Sequence, residues 1–145
     1  MRRKIGFEIR VLNNLLKRDF ESTHTPDIDC STGVHGLAIG YLYKNRDNDI
    51  FQRDFEAHFS IRRSTATRIL QLMEKNGLIY RVSVDNDARL KKIVLTDKAV
   101  EIHKAIIHDI DEREKRLIKG ISDEELNTFF SVIDKIKANM EVQDD

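Results

Sequence analysis

Two stretches of this chain hold side chains whose types and spacing could do chemistry outside a core. Residues 60–79 read SIRRSTATRILQLMEKNGLI, opening with Arg62 and Arg63, then Ser64, Thr65, Thr67 and Arg68, with Gln71 one turn further on. The arginine fork of donors matches a phosphate, or the O6 and N7 edge of guanine. The hydroxyls can bond phosphates or base edges, and threonine methyls can meet a thymine methyl. The second stretch is Asp87-Ala88-Arg89, followed at once by Lys91 and Lys92. An aspartate at a cationic tip would repel phosphate unless an arginine held it, so the pair reads as a unit that fixes the guanidinium's direction. Both stretches suit recognition of an anionic partner better than the making or breaking of bonds.

Charge along the chain supports this. The 145 residues balance at 25 basic and 25 acidic side chains, but unevenly. Residues 1–59 hold nine of each, residues 60–92 eight basic and three acidic, and residues 93–145 eight basic and thirteen acidic. The middle segment therefore carries +5 and the tail −5, and a local excess of that size makes a phosphate-facing surface.

The elements that must position these residues follow from hydrophobic spacing. Ile5, Ile9, Leu12, Leu16 and Phe20 predict an amphipathic helix over 4–21, and a loop follows with the only proline. A second helix, capped by Ser31 or Thr32, runs to about Lys44 with Val34, Leu37, Ala38, Tyr41 and Leu42 inward. A short helix is predicted at about 50–58, packing Ile50, Phe51, Phe55 and Phe59, with Asp49 available as its cap. Ser60 then caps a fourth helix, whose Ala66, Ile69, Leu70 and Met73 form one stripe and which Asn76-Gly77 stops. The period next changes from 3.6 to 2: LIYRVSV and KKIVLT predict a hairpin with the charged tip DNDARL. Asp97 can cap a long helix to about Lys119, and Ser122-Asp-Glu-Glu125 has the spacing of a capping box before a last helix. The predicted fold is mainly α with a small β-hairpin wing, a winged helix-turn-helix in the order ααααββαα.

Residues 50–96 resemble the DNA-binding core of the MarR family, the multiple antibiotic resistance regulators. IRRSTATRILQLMEKNGLI is similar to that family's recognition helix and following turn, Asp87-Ala88-Arg89 to the Asp-x-Arg motif of its wing, and Leu95-Thr96 to the start of its last helix pair. Phe51 and Glu56 depart from the family pattern, which commonly has a threonine and an alanine there. The resemblance implies one MarR-like domain over 1–145, with a DNA-binding lobe at 32–96 and dimerisation helices at 1–22 and 97–142. It also implies a homodimer that binds a pseudopalindromic operator in double-stranded DNA as a ligand-responsive repressor; the single cysteine, and the polar residues Glu8, Arg10, Asn13 and Asn14 that interrupt any signal-like apolar run, point to a cytoplasmic protein. The expected DNA contacts are Arg62, Arg63, Ser64, Thr65, Thr67, Arg68, Gln71, Asp87, Arg89, Lys91 and Lys92, with Arg89 in the minor groove.

The signal is less defined. A phenolic or lipophilic effector could meet Phe7, Asn14, His35, Tyr41 and Tyr43, although aromatics at helical spacing more often belong to a core. Cys30, the only cysteine, could sense oxidants, but Asp27 and Asp29 before it would raise its pKa rather than activate it. A metal-responsive variant would draw on His24, His35, His103 and His108 with Cys30. His103 and His108, however, are five residues apart, about 140° around a helix, where a chelating pair prefers four, and no metal or cofactor is expected. An architectural winged-helix protein would keep the fold without reading bases. An enzyme is not expected, since there is no phosphate-cradling glycine loop, no Gly-x-Ser-x-Gly and no partner placed for Cys30. No segment reads as a membrane span or a secretory signal.

Overall fold

A computed structural model describes residues 2–22, 34–84 and 87–141, with the side chains of 20–22 and 34–35 left aside. Cys30, His24, the Ser31 and Thr32 caps and the side chains of Phe20 and His35 lie outside the described residues. The order is α1 (Ile5–Ser22), α2 (Val34–Lys44), α3 (Gln52–Phe59), α4 (Arg63–Lys75), β1 (Ile79–Val84), β2 (Asp87–Leu95), α5 (Asp97–Leu117) and α6 (Asp123–Glu141). The mainly α order with its hairpin wing is as the sequence predicts. The chain divides into two compact units, Met1–Ala105 and Ile106–Asp145.

The first unit contains the core. Ala38, Ile39 and Leu42 of α2, Ile50, Phe55 of α3, Ala66, Leu70 and Met73 of α4, Leu78 and Ile79, Ile93 and Ala99 form one buried cluster. Each large side chain removed from water there contributes about 1.5–3 kcal/mol. Leu37, expected inward, is 65% exposed, whereas Ile39 is fully buried. The α2 face that packs is centred on Ala38, Ile39 and Leu42, and Leu37 lies well around the helix from it.

Helix caps differ from expectation in three places. Phe51, not Asp49, is the N-cap of α3, and Asp54 at the third helical position accepts from the Phe51 amide at 2.9 Å. Asp49 instead meets Lys92 Nζ at 3.4 Å. Ser60 closes α3 rather than opening α4: it adopts a left-handed conformation (φ 50°), with Ile61 N–H donating to the Glu56 carbonyl at 3.1 Å. The connection is so tight that Arg62 becomes the N-cap of α4. At α5 the cap is Thr96, not Asp97, since Thr96 Oγ1 accepts from Ala99 N–H at 3.2 Å.

Two other terminal signals hold. Gly77 (φ +69°) ends α4, with Leu78 N–H donating to the Met73 carbonyl at 2.9 Å, the glycine supplying the left-handed residue such a cap needs. Within the second unit, Ser122 and Glu125 form the reciprocal capping box: Ser122 N–H donates to Glu125 Oε2 at 2.8 Å and Glu125 N–H to Ser122 Oγ at 3.2 Å.

The wing is an antiparallel hairpin from Ile79↔Leu95 to Ser83↔Lys91. Its inner edge is joined by Ile50 and Phe51, through a bridge of Phe51 to Lys92 and a 2.7 Å bond from Ile93 N–H to the Ile50 carbonyl. Ile50 and Phe51 thus lie against β2 through an isolated bridge, and the helix predicted from residue 50 begins at Gln52. Among the described residues no helix is long and apolar enough to cross a membrane.

Candidate nucleic-acid interface

Helix α4 divides its side chains by periodicity. Ala66, Leu70 and Met73 are 0% exposed and anchor it to the core. Ser64, Arg68 and Gln71 are exposed on the far side, together with Arg62 and Arg63 at its entrance, while Thr65 and Thr67 flank the face half-buried. No side chain caps its first turn. The first amides of a helix have no partner inside it, so an external acceptor such as a phosphate oxygen can take them, and the helix dipole favours the anion. A serine cap at this position would have filled the place such an acceptor takes.

Helix α3 braces α4 from the side. Gln52 Nε2 donates to Thr67 Oγ1 at 2.8 Å and reaches the Arg63 carbonyl at 3.4 Å. The exit of α4 is braced by α5: Thr96 Oγ1 donates to the Gly77 carbonyl at 2.6 Å, Thr96 N–H to the Leu78 carbonyl at 3.1 Å, and Lys98 Nζ to the Asn76 carbonyl at 2.9 Å. Sequence reasoning missed Gln52 and Lys98, because they act across 15 and 22 residues of chain. The one available signal was a polar residue in the first turn of each supporting helix.

The wing tip is built around a break in register. Ser83 pairs with Lys91, yet Val84 pairs with Asp87 and not with Leu90 as a regular ladder would require. Ala88, Arg89 and Leu90 thus bulge out of the hairpin without cross-strand partners, the kind of irregularity that re-aims a side chain. The sequence had placed 85–90 in the tip; the structure gives β2 all of these but 85 and 86, which lie outside the described residues. Asp87 Oδ1 accepts from the Arg89 backbone N–H at 2.9 Å. The aspartate therefore shapes the backbone that carries Arg89 and does not grip its guanidinium. Arg89 is exposed and has no ion-pair partner among the described residues. Lys91 is exposed, while Lys92 is half-buried and already paired with Asp49.

The aromatic residues singled out for a ligand are not gathered into one place. Phe7 is 64% exposed on α1, and Asn14 is exposed on the same helix. Tyr41 stacks on His58 (ring centroids 4.0 Å apart) and meets Phe59 edge-on at 5.7 Å, so it belongs to an α2–α3 aromatic cluster. Burial, and secondarily the Asp54 carboxylate, pushes its hydroxyl pKa up. Tyr43 faces α5 instead, 4.4 Å from the ring of His103, and carries the Arg46 guanidinium over its own ring at 4.2 Å. His103, expected to be solvated, is 7% exposed, with Nδ1 lacking a hydrogen-bond partner. Burial, reinforced by Arg46, lowers its pKa. No group of three or more metal-binding side chains occurs among the described residues.

Comparison with known proteins agrees with this geometry. The model of the MarR family matches residues 32–90. A helix-turn-helix-type transcriptional regulator of Bacillus subtilis, YybA, is 22% identical over 139 residues, spanning 96% of this chain and 87% of its own. The crystal structure of the transcription regulator MarR from Oenococcus oeni superposes with a TM-score of 0.80 at 29% identity, covering 93% of this chain and 99% of that one. The Staphylococcus aureus MepR protein in complex with DNA shares the fold with a TM-score of 0.83 at 24% identity, over 96% of this chain and 99% of that one. A lobe whose cationic helix and bulged wing stand on a common core matches the MarR family model over residues 32–90, and nearly the whole chain is similar in fold to winged helix-turn-helix transcription regulators of that family.

Proposed function

We propose that the protein is a sequence-specific repressor that binds a pseudopalindromic operator as a homodimer, α4 of each protomer in the major groove and the wing against the adjacent minor groove. The observation that carries this reading is the division of α4: Ala66, Leu70 and Met73 of its apolar stripe are fully buried and Ile69 half-buried, leaving Arg62, Arg63, Ser64, Arg68 and Gln71 exposed around an uncapped first turn. A B-DNA major groove about 12 Å wide admits one such helix. Arg89 on its bulge supplies the wing contact, and Lys91 a phosphate contact; Lys92, held by Asp49, braces the wing.

The homodimer is supported by apolar surface that each unit leaves open. On α1, Ile5, Ile9, Leu12 and Leu16 lie along one stripe and are 43–59% exposed; on α6, Phe129, Phe130 and Val132 are 45–58% exposed. Contiguous apolar surface of this kind marks an association site. Control by a phenolic or lipophilic effector is carried over from the family likeness, and exposed Phe7 and Asn14 are freer to meet one than Tyr41 and Tyr43.

The test is binding to an operator duplex, selected from a randomised pool, and to its scrambled counterpart across a series of salt concentrations. A large ratio of affinities that persists at physiological salt is expected, and equal affinity for the two duplexes sinks the reading. Arg89→Ala should weaken binding to both and lower the salt slope by about one, whereas Arg68→Ala should relax base preference.

A further inference from the structure

Gln52 begins α3 and faces the first turns of α4. One atom of its side-chain amide lies 2.8 Å from Thr67 Oγ1 and 3.4 Å from the Arg63 carbonyl oxygen. A carbonyl oxygen only accepts, so the Gln52 atom that faces it is the nitrogen, Nε2. In the bond to Thr67 the threonine oxygen is therefore the acceptor. Within a helix, a threonine proton commonly goes to the carbonyl four residues earlier. Here that carbonyl belongs to Arg63, and Gln52 faces it. Among the described residues the Thr67 hydroxyl donates to no group, so its proton is free for an acceptor beyond the protein.

Thr67 stands where such an acceptor would be. It follows the buried Ala66 by about 100° around the helix and flanks the exposed face of Ser64, Arg68 and Gln71. We infer that Gln52 is a positioning residue for base recognition: it fixes the Thr67 hydroxyl as a donor, so that this position selects an acceptor edge in the major groove. With one of the two hydroxyl lone pairs taken by Gln52 and the proton free, the favoured groups are guanine O6 and N7, thymine O4 and adenine N7, ahead of the amino groups of cytosine and adenine. The inference rests on α4 being the helix that enters the groove.

The experiment uses the full chain and a randomised duplex pool, sequencing the bound fraction for wild type, Gln52→Glu, Gln52→Met, Thr67→Ser, Thr67→Val and the double variant Gln52→Glu/Thr67→Val. A carboxylate can only accept, so Gln52→Glu takes the Thr67 proton and turns a lone pair toward the DNA. Preference at one base position of each half-site should then move toward an amino-bearing base, by roughly three- to tenfold, the worth of a single hydrogen bond. Gln52→Met should flatten preference at that position, and Thr67→Ser should keep it. Thr67→Val should abolish it and make Gln52→Glu silent there. In Gln52→Glu a carboxylate in the first turn of α3 gains from the helix dipole but gives up the contact with the Arg63 carbonyl. Melting curves check this, and uncharged Gln52→Met decides the question if the glutamate variant unfolds. Lower affinity spread evenly over all sequences, with base preference unchanged, overturns the inference and puts Thr67 on a phosphate. A wild-type pool with no preference at any position overturns the groove reading as well.

Discussion

Leu70 on α4 and Phe130 on α6 are both large apolar residues in helical ladders, yet Leu70 is fully buried and Phe130 is 58% exposed. The contrast extends to the elements around them. The lobe collects its buried side chains into one cluster drawn from α2 to α5, whereas α6 has no buried residue. The periodicity of a helix defines which side is apolar but not what covers it. In the lobe, four helices and a hairpin meet within one unit; α6 buries no residue of its own, and a second copy of the chain is the occupant proposed above.

The contrast can be broken most severely at Phe55, which is 0% exposed in the lobe core. Phe55→Ala should cost about 3–5 kcal/mol, seen as a lower denaturant midpoint with an unchanged slope. Phe130→Asp, at the open end of the contrast, should weaken self-association about thirtyfold, as expected for a buried aromatic anchor worth about 2 kcal/mol. Sedimentation measures this, and wild-type protein that stays monomeric at every concentration would mean that the open ladder is no interface.

A smaller effect comes from His103, the buried polar residue among the described ones. Its folded-state pKa lies below the ordinary histidine value because burial, and then Arg46, oppose the charged form. The unfolded chain therefore binds the proton more readily. Stability from the neutral ring is present above the ordinary value of 6.5 and is lost as pH falls below it toward the folded-state value. Urea melts across that window should slope downward with acid, and His103→Phe should remove this part of the slope. The smallest effect is at Ser60, whose φ of 50° suits glycine. Ser60→Gly should raise stability by about 0.5–1 kcal/mol by relieving the left-handed strain, measured as a higher thermal midpoint.

What could be read from the sequence was whatever depended on neighbours in the chain. The ladder of Ala66, Leu70 and Met73, the Asn76-Gly77 stop and the Ser122–Glu125 capping box are local patterns, and each appears in the structure. The cap positions shifted where two elements compete for one residue. Ser60 could open α4 or close α3, and the short connection gave it to α3; Thr96 could end a strand or cap α5, and with β2 stopping at Leu95 it caps α5. Residues 50 and 51 fit the apolar pattern of the helix predicted there, but a bridge to β2 holds them outside it. The bulge at Ala88–Leu90, the Gln52 contact and the burial of His103 depend on tertiary packing, so no local spacing announced them. Of the candidate interface, the cationic face was legible, but the groups that hold it in place were not.

The hydrogen bonds at the two ends of α4 have a mechanical consequence. Gln52 grips its entrance, and Thr96 with Lys98 grips the carbonyls at its exit. A rod clamped at both ends does not fray or pivot alone; it travels with its clamps. Displacement of the first turn of α5 would thus reach the exposed cationic face of α4 as rigid motion, which makes the α5 junction the crank for the reading head in the operator complex proposed above.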